Sequence, residues 1–172
     1  AVQGREPAAL AQVVALTFMG TRAERWPAER LTGMAGFFSR VGYKPTAEWK
    51  EEIVCLDPAP MGPLETVLPD GRKVKVSPGI DPRVAFADWL LAPGNRWFAR
   101  AAVNRQWAWI FGRGIVHEPD DLRPDNPPAV AGLLECLEKE FAASGYDLKK
   151  LLRLILNSRV YQLSPIPRSS DP

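Results

Sequence analysis

Apolar residues recur at three- and four-residue spacing through most of this chain, and alternate over only one short stretch. In residues 7–19, PAALAQVVALTFM, the positions Leu10, Val13, Val14 and Phe18 predict a helix, opened by Pro7 and stopped by Gly20. Pro27 opens a second predicted helix with Leu31, Met34, Phe37, Phe38 and Val41 on one face and Gly42 as its stop. The pattern then changes. Within residues 48–56, EWKEEIVCL, the run Ile53-Val54-Cys55 favours a strand. Asp57 to Pro63 holds three prolines and a glycine and reads as loop. Glu65–Leu68 and Arg72–Val76, joined by Pro69-Asp70-Gly71, predict a β-hairpin, because Asp-Gly supplies the tight turn between alternating arms.

Helical spacing resumes at Asp81-Pro82, an N-cap followed by proline at the first helical position. Val84, Ala87, Trp89, Leu90 and Leu91 form a broad apolar face, and Pro93-Gly94 breaks it. Asn95 caps a predicted helix over 96–111 that Gly112 ends. A further helix is predicted over 127–143, with Val130, Leu133, Leu134, Leu137 and Phe141 inward, followed by Gly145. Asp147 caps DLKKLLRLILNS, where Leu148, Leu151, Leu152, Leu154 and Ile155 face the core while Lys149, Lys150 and Arg153 face solvent. The expected fold class is mainly α: a cluster of about four helices, an N-terminal helical pair and a small β-hairpin insert. The expected division is a helical pair over 1–45, a hairpin and linker over 46–80, a helical domain over 81–164 and a disordered tail over 165–172.

Composition narrows function mostly by exclusion. The chain has 172 residues, enough for one full core or two small units. With 22 basic and 20 acidic residues it lacks the excess of charge typical of a nucleic-acid binder. No apolar run approaches the roughly 18 residues of a membrane span. The first residues carry no basic n-region or cleavage site, and the chain reads as a piece of something longer. Cys55 and Cys136 are the only cysteines, and spacing leaves free thiols and a disulfide both open. With His117 as the one histidine, a zinc site or a Ser–His–Asp arrangement has little to build on. No metal site is expected.

The richest chemistry lies in one run, Trp97 to Pro128, WFARAAVNRQWAWIFGRGIVHEPDDLRPDNPP. Its helix is apolar enough to be buried, yet carries Arg100, Asn104 and Arg105. Its loop carries Arg113, Asp120, Asp121, Arg123 and Asp125. Buried polar groups require partners. One reading is a structural lock in which Arg100, Asn104 and Arg105 bond Asp120, Asp121 or loop carbonyls. On that reading Arg105→Ala or Asp121→Ala costs about 1–3 kcal/mol. The other reading is a cleft for an anionic or sugar ligand, for which the arginine fork is also suited. Asp120 and Asp121 as an acid/base pair would need a set separation that adjacent residues rarely give, and Asp120, Asp121 and Asp125 match no EF-hand spacing. Trp89, Trp97, Trp107 and Trp109 fit a core better than a sugar platform, although Trp107 and Trp109 cannot face the same way. His117 reads as a surface residue, and Tyr161 as packing back on the core.

Three stretches, DPRVAFADWLLAPGNRWF (81–98), FARAAVNRQWAWIFGRGIVHEPDDLRPDNPP (98–128) and GYDLKKLLRLILNSRVYQLS (145–164), resemble the domain of unknown function at the C-terminal side of planctomycete-type cytochrome c proteins. In that family an upstream domain carries a Cys-x-x-Cys-His haem motif, preceded by Leu-Thr and followed by a Trp and a helix ending in Phe-Phe. This chain has Leu16-Thr17, Trp26 and Ala35-Gly36-Phe37-Phe38. At the position of the motif stand Phe18, Thr21 and Arg22, which supply neither thiols nor an imidazole. The resemblance implies a non-catalytic structural or interaction module of an extracytoplasmic cytochrome-associated protein, with no haem in this chain. A c-type haem would lie elsewhere in the longer protein, and other domains of that protein would be its partners. An electron-transfer subunit whose haem lies outside this chain, and a polysaccharide-binding or -processing module, remain alternatives.

Overall fold

The computed structural model describes residues 4–46, 52–58 and 62–163. The tail expected to be disordered lies outside these, as does the start of the segment expected to form a strand over 48–56. In chain order the elements are α1 (Pro7–Met19), a 3-10 turn (Ala23–Arg25), α2 (Ala28–Gly36), β1 (Val41–Pro45), β2 (Glu52–Leu56), β3 (Leu64–Val67), β4 (Lys73–Val76), α3 (Pro82–Leu91), α4 (Trp97–Phe111), α5 (Ala131–Ala143) and α6 (Leu148–Leu156).

The expectation of a mainly α chain with one hairpin is corrected. Six helices dominate, but the described residues also form two separate antiparallel two-stranded sheets, so the class is mixed α/β. The pairing not foreseen is β1 with β2, in the register Val41↔Leu56, Tyr43↔Val54 and Pro45↔Glu52. A strand at Ile53–Cys55 needs a partner for its backbone groups, and the chain just after α2 supplies one. Helix α2 therefore ends at Gly36, before Val41, because Val41 and Tyr43 suit a strand and Pro45 disfavours a helical Lys44. Gly36 also lies where a Cβ would stand 2.2 Å from Thr66 Oγ1, so α2 rests directly on β3. Thr66 Oγ1 donates to Gly33 O at 2.5 Å across the same contact. The hairpin β3–β4 forms as expected, with Gly71 in the left-handed region at φ +90°.

Two apolar clusters make up the core. The first joins α1, α2, α3 and the hairpin through Ala11, Ala15, Met19, Met34, Phe37, Leu68, Phe86 and Leu90. The second joins α4, α5 and α6 through Val103, Trp107, Leu134, Phe141, Leu151 and Ile155, with Ile115, Val116 and Leu122 from the long loop. Phe98 packs against both, which makes α4 the seam of the molecule. Some faces differ from the sequence pattern. Helix α1 turns Ala11, Ala15 and Met19 inward and leaves Val13 and Phe18 exposed, because it packs on both α2 and α4 and small residues allow close approach. In α3 Phe86 is buried, while Val84 and Leu91 are exposed. Helix α5 starts at Ala131 rather than at 127. Pro127 and Pro128 carry no donors, and the Ala129 amide is bonded to Ile115 O at 2.7 Å.

The helix signals at Asp81 and Asp147 form real caps. Asp147 accepts from the amides of Lys149 and Lys150. Asp81 accepts from the Arg83 amide at 3.0 Å and pairs with Arg83 Nη2 at 2.6 Å. That Arg83 side-chain bond is the main reason the Asp81 carboxyl titrates below its usual value. For Asp70, at the hairpin turn, burial pushes the pKa up. Bonds from the Arg72 amide, Trp89 Nε1 and Arg72 Nε outweigh it and hold the value low. Both groups have native values below their unfolded ones, so the unfolded chain binds more protons as acid is added. Their contribution is full above the unfolded value of about 3.9 and is lost as pH falls through the lower native values. Calorimetry should show the melting temperature falling from about pH 4 downward. An Asp70→Asn/Asp81→Asn variant should lose part of that acid sensitivity, and an unchanged profile would refute this origin.

Candidate functional site

The polar side chains of α4 and the loop after it converge, but along three separate lines. The first is Asn104, fully buried on α4. Its Nδ2 donates to Val116 O at 3.0 Å and Pro119 O at 3.1 Å, and its Oδ1 accepts from the Val116 amide at 2.9 Å. One amide side chain thus satisfies both backbone groups of a loop residue buried without a sheet partner. Gly114 makes room for this: a Cβ there would lie 3.0 Å from Asn104 Nδ2 and 2.3 Å from Val116 O.

The second line runs through Arg105. Its Nε donates to Asp120 Oδ1 at 2.6 Å, and its two terminal nitrogens donate to the carbonyls of Leu16 and Thr17. Those carbonyls belong to the last turn of α1, where helix geometry leaves acceptors without partners. Beside them the Leu122 amide donates to Gly20 O at 2.9 Å, and Arg25 approaches Asp121 Oδ1 at 3.8 Å. The turn at Gly20, beside the Leu16 and Thr17 carbonyls, is therefore a seat of the acidic loop. Gly20 adopts φ +60°, Thr21 is buried, and a Cβ on Gly20 would meet Leu122 at 2.8 Å.

The third line was not visible as such in the sequence. Arg100 does not reach the loop. It donates to Glu138 on α5 at 2.8 Å, and Arg96 donates to the other oxygen of the same carboxylate at 2.8 Å. Glu138 is only 4% exposed. Its register held the clue: it lies four residues after Leu134 and three before Phe141, on the apolar face of α5, where an acid requires a cation.

The partner of Arg105 is Asp120 and not Asp121. Asp121 sits with Arg123, whose Nε lies 2.8 Å away without the alignment of a hydrogen bond. Arg123 also pairs with Asp125. The two adjacent acids thus face different cations. Trp107 is buried against the Phe111 ring at 4.3 Å, whereas Trp109 is 84% exposed. Arg113 is exposed, as is His117, whose Nε2 lies 3.5 Å from Glu118. Tyr161 reaches the Phe111 ring edge-on at 6.2 Å. Cys55 on β2 and Cys136 on α5 are both free thiols. Among the described residues, no group of three or more His, Cys, Asp or Glu side chains is placed to hold a metal ion. No described helix is long and apolar enough to cross a membrane.

Replacing Arg105 by alanine should cost about 1–2 kcal/mol, since it orphans the α1 carbonyls as well as Asp120. Asp120→Ala should cost less, because both partners are partly exposed. A double-mutant cycle should give a coupling of about 0.5–1 kcal/mol, and additive losses would show that the pair is incidental.

Alongside these bonds lies a groove. One basin of about 370 Å³ sits between the first half of α4 and the 116–128 segment, walled by Arg96, Arg100, Arg123 and Pro124, Pro127 and Pro128. A second, of about 520 Å³, lies between the hairpin turn and the α3–α4 turn. Arg96 and Trp97 line both. Behind Trp97 the Arg30 guanidinium stands 3.9 Å over the Trp26 ring and 5.7 Å from the Trp97 ring.

Residues 82–171, the whole of α3 to α6 with the acidic loop between them, match the family model described as a protein of unknown function (DUF1553). The chain belongs to that family. No curated protein and no solved structure matches it. The DUF1553 region holds Asn104, Glu138 and all of the Trp97–Pro128 run, while the α1 carbonyls that Arg105 binds lie before it.

Proposed function

We propose that this DUF1553 chain is a non-catalytic structural or interaction module of an extracytoplasmic, cytochrome-associated protein. The observation that carries the module reading is the use made of the polar groups on α4. Asn104, Arg105 and Arg100 are each bonded to another segment of the chain, and Asp120 and Asp121 turn to different cations. The cytochrome association is supported by the resemblance of Leu16-Thr17, Trp26 and Ala35–Phe38 to the flanks of a c-type haem motif. On this reading the haem position is filled by Phe18–Arg22, whose Gly20 meets Leu122 of the acidic loop, and any c-type haem is carried elsewhere in the longer protein. An extracytoplasmic location follows, because c-type haem is attached outside the cytoplasm.

The test is to mature the chain in a periplasm equipped for c-type haem attachment. The purified chain should show no Soret band and no haem-stained band on a denaturing gel. It should also be retained by a haem-bearing domain of its own full-length gene product. Covalent haem on this chain, or a gene product without haem, would overturn the proposal.

A further inference from the structure

The groove along α4 has a chemistry that the internal bonds do not use up. Four arginines, Arg72, Arg96, Arg100 and Arg123, line its two basins, and Asp70 is the one carboxylate among the lining residues. From outside the lining, Asp121 and Asp125 pair with Arg123, and Glu135 pairs with Arg96. Asp70 is already engaged by Trp89 Nε1 at 2.7 Å and Arg72 Nε at 2.8 Å. Glu138 holds Arg96 and Arg100 from behind, and it does not line the groove. Its bond to Arg100 engages Nε and leaves the two terminal nitrogens, each carrying donors in a fixed plane. The guanidinium groups are thus positioned before any ligand arrives, which lowers the ordering cost of binding. The positive end of the α4 dipole lies at Trp97, between the basins. Trp97 and the three prolines add flat apolar surface next to the cations.

We propose that this groove binds an anionic polysaccharide, its carboxylate or sulfate groups meeting Arg96, Arg100 and Arg123 and its ring faces meeting Trp97 and the prolines. Planar forks suit either anion bidentately, and an aromatic ring beside them suits the apolar face of a sugar. The paired basins joined at Trp97 suit a linear chain with repeated charge. A nucleic acid fits less well, since the basins offer one partly exposed ring, Trp97, with Trp89 buried, rather than a series on which successive bases stack. The inference is independent of any association with haem.

The test is equilibrium binding of the purified chain at low salt to an oligogalacturonate, to dextran sulfate, to neutral dextran and to an oligothymidylate. One or both anionic glycans should bind, more weakly as salt is added, and neutral dextran should not. Which of the two binds tells carboxylate from sulfate. Arg100→Gln and Arg123→Gln should each weaken binding about tenfold, while Lys149→Gln/Lys150→Gln on α6 should not. If Arg100→Gln disturbs the fold by circular dichroism, Arg123→Gln, on the loop, carries the comparison. The proposal fails if neither anionic glycan binds, if the oligothymidylate binds as well or better, if neutral dextran binds equally, or if the α6 variant loses as much as Arg123→Gln.

Discussion

Asn104→Ala is expected to lower stability by about 3–4 kcal/mol, the largest loss from any single polar side chain in this molecule. The estimate follows from what the change leaves behind. Three bonds end on Asn104, and two of them are, among the described residues, the only bonds to the Val116 amide and carbonyl. Val116 is buried, so water cannot take over without opening the second core cluster. Each unsatisfied buried group costs roughly 1–3 kcal/mol, and the missing side chain adds a small cavity. For a chain of this size that is a drop of about 10 °C in melting temperature. Asn104→Asp should be nearly as damaging, because a carboxylate offers no donor to the carbonyls of Val116 and Pro119. Urea denaturation measures both. A loss below about 1 kcal/mol for Asn104→Ala would mean that the loop is held by other contacts.

The second large effect is expected at Glu138. Its carboxylate is almost fully buried and is the counter-ion of Arg96 and Arg100 together. Glu138→Ala leaves two guanidinium groups side by side with a void beneath them. A fully buried pair broken in this way costs about 3–5 kcal/mol. Here Arg96 is half exposed and Arg100 about one-third exposed, so both can turn toward water, and the expected loss is about 2–3 kcal/mol. Glu138→Gln keeps the shape and one acceptor and should lose about half as much. Added salt should recover part of the alanine variant's loss by screening the repulsion between the arginines. A Glu138→Ala midpoint equal to that of the parent chain would show that the carboxylate is incidental to α4–α5 packing.

The parts of this fold that were legible in the sequence are those fixed by local chemistry. Asp81-Pro82, Gly20, Gly112, Asp147 and the Asp70-Gly71 turn act through bonds within a few residues, and each stands where its residue type predicts. What was hidden depends on chain segments meeting. Val41–Pro45 reads as the end of a helix until Glu52–Leu56 is beside it. The apolar face of α1 is the alanine seam and not the larger side chains, because α2 and α4 both approach it closely. At the site, the sequence offered the right helix residues and the right loop. It could not say that Arg105 takes Asp120 along with the end of α1, or that Arg100 looks to α5 instead. Trp97 and Arg96, the residues shared by both basins of the groove, have their environment set by the hairpin and the 116–128 loop, neither of which is near them in sequence.

The claim on which the rest depends is that the Trp97–Pro128 run is an internal clamp, in which α4 holds an otherwise irregular loop in place. Hydrogen exchange at the Val116 amide tests it most directly. That amide lies outside any helix or sheet ladder, and its acceptor is the Asn104 side chain. Loop amides ordinarily exchange from local openings of small free energy. The clamp predicts protection at Val116 comparable with the core amides of α4, abolished in Asn104→Ala while α4 remains protected. Exchange at Val116 as fast as in an exposed turn, or protection that survives Asn104→Ala, would contradict it.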